Sequence, residues 1–325
     1  MATPILVPVD GSAFSEQAIP LACDLARRTQ NPLHIVQVHT FSHPVAYPEI
    51  VPPYEPDWET ALRIHQREHL ARLRHDAAES TGMQVNAALL EGPIVDRLVQ
   101  YVEDHGIGQL MMTSHGRGGL SRAWLGSVAS ELVRFVGVPV LLIRPNHGPR
   151  PLSELSLIRH ILVPLDGSAL SEAIMQHAVT FARLSGARMT LVEAVPPVYA
   201  VSGTGEAPDV APDVKAVESA RNETARYLEH IAGGLRADNI DVEVGVLTHW
   251  QAAHAIIDYA SDHGVDLIAM ATHGRGAWSR WVVGSVADKV LRGCQIPVLV
   301  LRPSDAVAGA DLDAGGQSAT HAVHP

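Results

Sequence analysis

The second half of this 325-residue sequence restates the first, block by block. Residues 5–12 (ILVPVDGS) return at 161–168 (ILVPLDGS), an offset of 156. Residues 114–118 (SHGRG) return at 272–276 (THGRG), and 125–129 (LGSVA) at 283–287 (VGSVA), both offset by 158. The closing block 138–145 (VPVLLIRP) returns at 296–303 (IPVLVLRP). Blocks that recur once, in one order and at one long spacing, mean two copies of a single domain and not a solenoid of short repeats. The copies span residues 1–146 and 157–303, with a Pro- and Gly-containing linker between them. Residues 304–325, rich in Ala, Gly and Asp with few large apolar side chains, read as a disordered tail.

Within copy one, short apolar runs alternate with helical patterns. Strands are predicted at 5–9, 33–39, 84–90, 109–113 and 138–144, and helices at 12–29, 57–80, 95–104 and 127–136. Pro20 predicts a kink or a late start in the first helix. Five prolines between Pro44 and Pro56 predict a loop. Copy two repeats the order, with Val214, Val217, Thr224, Leu228 and Ile231 striping its second long helix. Strands that alternate with helices predict an open α/β fold with a parallel sheet covered on both faces.

Charge narrows the partners. Lys+Arg 24 against Asp+Glu 35 leaves −11, which repels nucleic-acid backbone and anionic membrane. No apolar run approaches the ~18 residues of a membrane span, and Asp10 comes too soon for a signal peptide. A cytoplasmic protein is expected. Cys23 and Cys294 form no CxxC or disulfide framework, and Cys23 reads as core. Only Lys215 and Lys289 are lysines, so 24 − 2 = 22 cationic residues are arginines. A Walker A loop needs a lysine beside its glycines, and neither lysine has such neighbours.

In open α/β sheets, ligands collect beyond the carboxyl ends of the strands. Asp10-Gly11-Ser12 follows the first strand and Thr113 to Gly119 the fourth, so the two loops share one crevice if those strands are neighbours. Gly116, Gly118 and Gly119, with Gly274 and Gly276 in copy two, let backbone N–H groups approach phosphate oxygens. Ser127 is placed as the N-cap of a helix opening at Val128, so its hydroxyl and the N–H groups of Val128 and Ala129 favour an anion. Gly284, Ser285, Val286 and Ala287 repeat Gly126 and this cap, with Asp288 at capping-box spacing. Arg117 and Arg275 bring a positive charge to each loop. The plain alternative is a glycine-rich turn with an ordinary cap.

Gly116-x9-Gly126-Ser127 and Gly274-x9-Gly284-Ser285, with Asp-Gly-Ser after the first strand and a closing Val-Pro-Val strand, resemble the universal stress protein family. The resemblance covers both copies and implies a Rossmann-like fold of the adenine nucleotide alpha hydrolase type. The family motif is G-x2-G-x9-G-[ST], and in ATP-binding members it cradles the triphosphate. Its first glycine is replaced here by Thr113 and by Ala271. The resemblance implies ATP with Mg as the ligand, Pro8 and Asp10 (Pro164 and Asp166 in copy two) beside the adenosine, and the backbone of Val38 or Ala194 at the adenine. His115 and His273 stand in the glycine loops, either as nucleotide contacts or as organisers of the backbone. The departures at Ala194 and Ala271 make copy one the expected tighter site. In the family the last strand often pairs domains edge to edge, implying an intramolecular pseudo-dimer or a homodimer.

Other features give weaker signals. His65 and His69, four apart, could reach one metal, yet two ligands rarely suffice and they read as a solvated helix face. Trp124 and Trp281 read as packing or interface residues. No spacing fixes a Ser-His-Asp triad. The expected protein is a stress sensor or regulator that holds adenine nucleotide for unidentified protein partners and is not an enzyme, because its glycine loops lack a carboxylate and a lysine. A nucleotide-independent interaction module and a slow ATPase stay open.

Overall fold

The computed structural model of the chain describes residues 3–40, 56–114, 125–144, 153–202, 209–273 and 283–303. The chain divides into two compact units, Met1–Leu155 and Ser156–Pro325. In the first unit β1 (Ile5–Val9) leads through a 3-10 turn (Ser15–Ala18) into α1 (Ile19–Thr29) and β2 (Leu33–His39). Next come α2 (Pro56–Thr81), β3 (Val85–Glu91), α3 (Ile94–Asp104), β4 (Gln109–Thr113), α4 (Ser127–Phe135) and β5 (Val140–Ile143). The strands are parallel in the order β3-β2-β1-β4-β5. Every residue of β1, β4 and β5 is buried, as a parallel sheet sandwiched between helices requires.

The second unit runs β6 (His160–Pro164), α5 (Ala169–Glu172), α6 (Met175–Ser185), β7 (Arg188–Val195), β8 (Tyr199–Ser202) and β9 (Asp209–Pro212). It continues with α7 (Val214–Ala237), β10 (Val242–Thr248), α8 (Ala252–Asp262), β11 (Leu267–Ala271), α9 (Ser285–Gly293) and β12 (Val298–Leu301). Its parallel sheet has the equivalent order β10-β7-β6-β11-β12. After β7, β8 and β9 pair antiparallel.

Several expected boundaries shift, the first helix by about two turns. The helix expected from Ser12 starts at Ile19, with Pro20 in its first turn, where a missing N–H costs no helical bond. Gln30 closes α1 in the left-handed region at φ 56, where the second unit closes α6 with Gly186 at φ 74. On α7 the buried stripe is Thr224, Leu228 and Ala232, and Val214 stands exposed at the helix start. The expected disordered tail and most of the linker lie outside the described residues. The linker's end is anchored: Leu155 is fully buried, and its N–H donates to the Asp24 carboxylate on α1 at 2.9 Å.

Two prolines set where the central strands separate. The N–H of Ile5 bonds the Pro32 carbonyl on the β2 side, and the Pro4 carbonyl accepts from Gly108 on the β4 side. Alternate residues of a strand address opposite neighbours, so Leu6 and Pro8 face β4. Pro8 has no N–H to give, and the β1–β4 ladder stops after Ile5 and Leu6, although β1 stays paired with β2 through Val9. Pro164 repeats this, since the β6–β11 ladder stops after Ile161 and Leu162. The strands part where the chain reverses its direction of winding.

Candidate functional site

The order 3-2-1-4-5 puts the switch point between β1 and β4, so the expected neighbours are neighbours and a crevice opens beyond their carboxyl ends. On one wall stands the Asp-Gly-Ser turn. Asp10 Oδ1 accepts from the N–H of Ser12 at 2.9 Å and from its hydroxyl at 2.5 Å. Ser12 Oγ accepts from the N–H of Ser15, whose own hydroxyl donates to the Ser12 carbonyl. Gly11 supplies the positive φ of 80 that the turn needs. The second unit reproduces each bond with Asp166, Ser168, Ser171 and a φ of 77 at Gly167. One carboxylate oxygen of each aspartate therefore organises its own turn. Pro8 and Pro164 are buried in the strands behind, while Val38 and Ala194 sit half-buried near the ends of β2 and β7.

On the other wall, Thr113 and Ala271 end β4 and β11 in register with Ile143 and Leu301. Their backbone is extended strand and their side chains are buried, so neither position needs a glycine's conformational freedom. Next, the N–H of Gly126 donates to the Ser114 carbonyl at 2.8 Å, and that of Gly284 to the Thr272 carbonyl at 2.8 Å. These bonds pin the starts of α4 and α9 to the ends of the preceding strands.

That closure corrects the expected cap. Gly126 and Gly284 are the N-caps, with no side-chain cap bond, and Ser127 and Ser285 are the first helical residues. Asp288 makes no capping box, because its carboxylate receives Arg292 Nε at 3.0 Å. The first-turn N–H groups of Ser127, Val128 and Ala129, and of Ser285, Val286 and Ala287, have no carbonyl to bond within the helix. They carry the positive end of the helix dipole towards the crevice side. His273 Nδ1 lies 2.8 Å from the Thr272 hydroxyl. His115, Gly116, Arg117, Gly118 and Gly119, and Gly274, Arg275 and Gly276, lie outside the described residues, as do Trp124 and Trp281.

The structure adds a group of residues that motif reading missed. His69 on α2 does not pair with His65; its Nε2 lies 2.8 Å from Glu16 Oε1, just beyond the Asp-Gly-Ser turn. At the equivalent place in the second unit, the Tyr227 hydroxyl donates to Glu172 Oε1 at 2.8 Å. Gln37 on β2 is buried, and its equivalent on β7 is the buried Glu193. Burial, with Glu172, Glu193 and Asp166 nearby, pushes the Tyr227 phenol far above its usual range. A buried polar residue at the matching place in both copies, Gln37 and Glu193, was the available signal.

A separate cavity of about 640 Å³ opens at the amino ends of β2 and β3, away from the crevice. Among its lining residues, His34 has Nδ1 2.8 Å from the Tyr101 hydroxyl and Nε2 3.0 Å from Asn86 Nδ2. His34, Tyr101 and Asn86 thus satisfy one another, and the cavity stands apart from the switch point. Among the described residues no group of three or more His, Cys, Asp or Glu side chains could hold a metal, and no helix is long and apolar enough to cross a membrane.

Comparison with known proteins supplies relatives. The profile of the Universal stress protein family matches residues 1–144 and again 157–302. Universal stress protein Rv2005c of Mycobacterium tuberculosis is 29% identical over 314 residues, covering 92% of this chain and 97% of the relative. A universal stress protein of Mycolicibacterium smegmatis is 27% identical over 309 residues, with the same coverage of 92% and 97%. The crystal structure of a universal stress protein from Archaeoglobus fulgidus matches with TM-score 0.67 at 18% identity, over 93% of this chain and 98% of that one, a likeness of fold.

Proposed function

The chain belongs to the universal stress protein family, and from that premise we propose that it is a cytoplasmic stress protein that binds an adenine nucleotide, ATP with Mg, in the crevice at the switch point. The observation that carries this reading is the convergence of the Asp-Gly-Ser turn with the first turn of α4, held in place by the Gly126–Ser114 bond. The amides of Ser127, Val128 and Ala129 suit phosphate oxygens, and the half-buried end of β2 at Val38 suits the flat apolar base. Mg would add charge neutralisation on the phosphates.

ATP is held and not turned over at an ordinary enzyme's rate. Backbone donors and a helix dipole bind ground state and transition state about equally, which does not accelerate chemistry. Asp10 and Asp166, engaged with Ser12 and Ser168, are poorly placed to serve as general bases. The bound state is then something a protein partner reads.

The test uses a substitution whose two effects have opposite signs. In Ser127→Asp, a carboxylate at the first helical position stabilises α4 and raises the ligand-free melting temperature slightly, while occupying the anion position. ATP affinity by calorimetry is expected to fall at least tenfold, with turnover below ~1 s⁻¹ throughout. Native protein that neither binds ATP nor melts higher in its presence overturns the reading.

A further inference from the structure

The offsets of 156 and 158 that align the two copies pair Asp10 with Asp166, Glu16 with Glu172, Gln37 with Glu193 and His69 with Tyr227. The hydrogen bond from α2 or α7 to the segment after the turn is kept at 2.8 Å in both, so this is one structural site with two compositions. It lies on the crevice's β1 wall. Register sets Gln37 level with Val9, the residue before Asp10. Glu193 follows Val192, whose carbonyl accepts from Leu165, the residue before Asp166.

The compositions differ in charge. The first unit has Asp10 and Glu16, the latter bonded to the imidazole of His69, and the neutral amide of Gln37 on β2; its further carboxylate, Glu59 beside His39, is neutralised by Arg63 at 2.9 Å. The second has three carboxylates, Asp166, Glu172 and Glu193, around the Tyr227 hydroxyl. Gln37 is 3% exposed, and its Oε1 has no hydrogen-bond partner among the described residues, so it can accept from a ligand hydroxyl or amine.

We infer that the position held by Gln37 and Glu193 decides which crevice takes a polyanionic nucleotide: the first unit accepts it and the second refuses it. The inference rests on the nucleotide reading above. Glu193 stands on β7, two strands from β11 and so about 10 Å from the phosphate end of its crevice; at that range a carboxylate weakens a polyanion on the order of tenfold, because screening by water is incomplete there. The first-turn amides are the same in both units, so they cannot make this distinction.

The full chain is titrated calorimetrically with ATP and, separately, with uncharged adenosine, at low and at high salt. Native protein is expected to bind one ATP per chain. Glu193→Gln, nearly identical in shape, is expected to create a second ATP site at least tenfold tighter than any native one in that unit, with the gap narrowing at high salt. Gln37→Glu is expected to weaken the first site by a similar factor. Adenosine affinity is expected to change less than threefold in either variant.

Two equal ATP sites in the native chain overturn the inference and leave the nucleotide reading standing. One native site with no second site in Glu193→Gln overturns it equally. Adenosine changing as much as ATP rules out charge as the cause. No ATP bound by the native chain overturns both readings, whether or not Glu193→Gln binds it.

Discussion

A carbon atom added at Gly284 would meet the carbonyl oxygen of Thr272 at 2.8 Å, closer than real side chains come to backbone. That same oxygen accepts the Gly284 N–H, so the glycine permits the closure that starts α9. Its φ of −56 is ordinary, and the constraint is proximity, not handedness. Gly126 has the same φ and the same 2.8 Å bond to Ser114, so the argument extends to the first unit. Motif reading assigned these glycines to the approach of a phosphate, but the protein's own backbone already demands them. Gly284→Ala is therefore expected to cost about 1–3 kcal/mol in urea denaturation, through overpacking against an atom that cannot give way. Gly137 has open space around its Cβ direction and no positive φ, so Gly137→Ala should stay within about 0.5 kcal/mol of native. Equal stability of the two variants would show that the strand end moves freely.

Helix α1 carries a device that the equivalent α6 lacks. Asp24 is buried, accepts from Arg27 Nη2 at 2.7 Å and Arg28 Nε at 2.8 Å, and takes the Leu155 N–H at 2.9 Å. The second unit has exposed Thr180 at that place. Burial alone pushes the Asp24 carboxyl up, but the Leu155 amide and the two guanidinium groups outweigh it and hold it below the usual carboxylate range. Arg27 is more than half exposed, so water screens that pair and Arg27→Ala should cost less than about 1 kcal/mol. Asp24→Ala leaves a buried N–H unanswered and should cost about 1–3 kcal/mol by the same denaturation. A smaller loss than in Arg27→Ala would sink the assignment. Elements of this kind were legible to different depths. The strands were readable because parallel strands buried on both faces are largely apolar runs, whereas the early end of pairing at Pro8 and Pro164 emerged only from the ladders. The start of α4 was misread by one residue, because a backbone bond from Gly126 outcompetes a serine cap and leaves no trace in side-chain chemistry. The cluster of Glu16, Gln37 and His69 went unseen because it joins residues far apart in sequence that meet only once α2 packs over the sheet.

Across the whole molecule, the neutral state of its buried histidines sets the response to acid. His34 lies under α3, and burial with the nearby His105 holds its imidazole below the ordinary histidine value. His160 at the start of β6 is depressed by burial and by Arg188, and His177 on α6 by burial. The three are spread over both units, so acid attacks each. A histidine whose folded pKa lies below its unfolded value, near ~6.5, binds its proton more readily in the unfolded chain. Stability that is full above about pH 6.5 is then lost as pH falls towards the folded values. Asp24, shifted down, begins to lose its contribution only as pH falls through the ordinary aspartate value near ~4, so the two effects occupy separate windows. The thermal midpoint is expected to hold nearly level down to about pH 6.5 and then to fall towards about pH 5. His34→Gln combined with His160→Gln should lower the midpoint at neutral pH, where hydrogen bonds to Tyr101 and Thr190 are disturbed, yet flatten its decline in acid. A midpoint that holds level down to pH 5 in the native chain, or a decline as steep in the double variant, would remove these imidazoles as its cause.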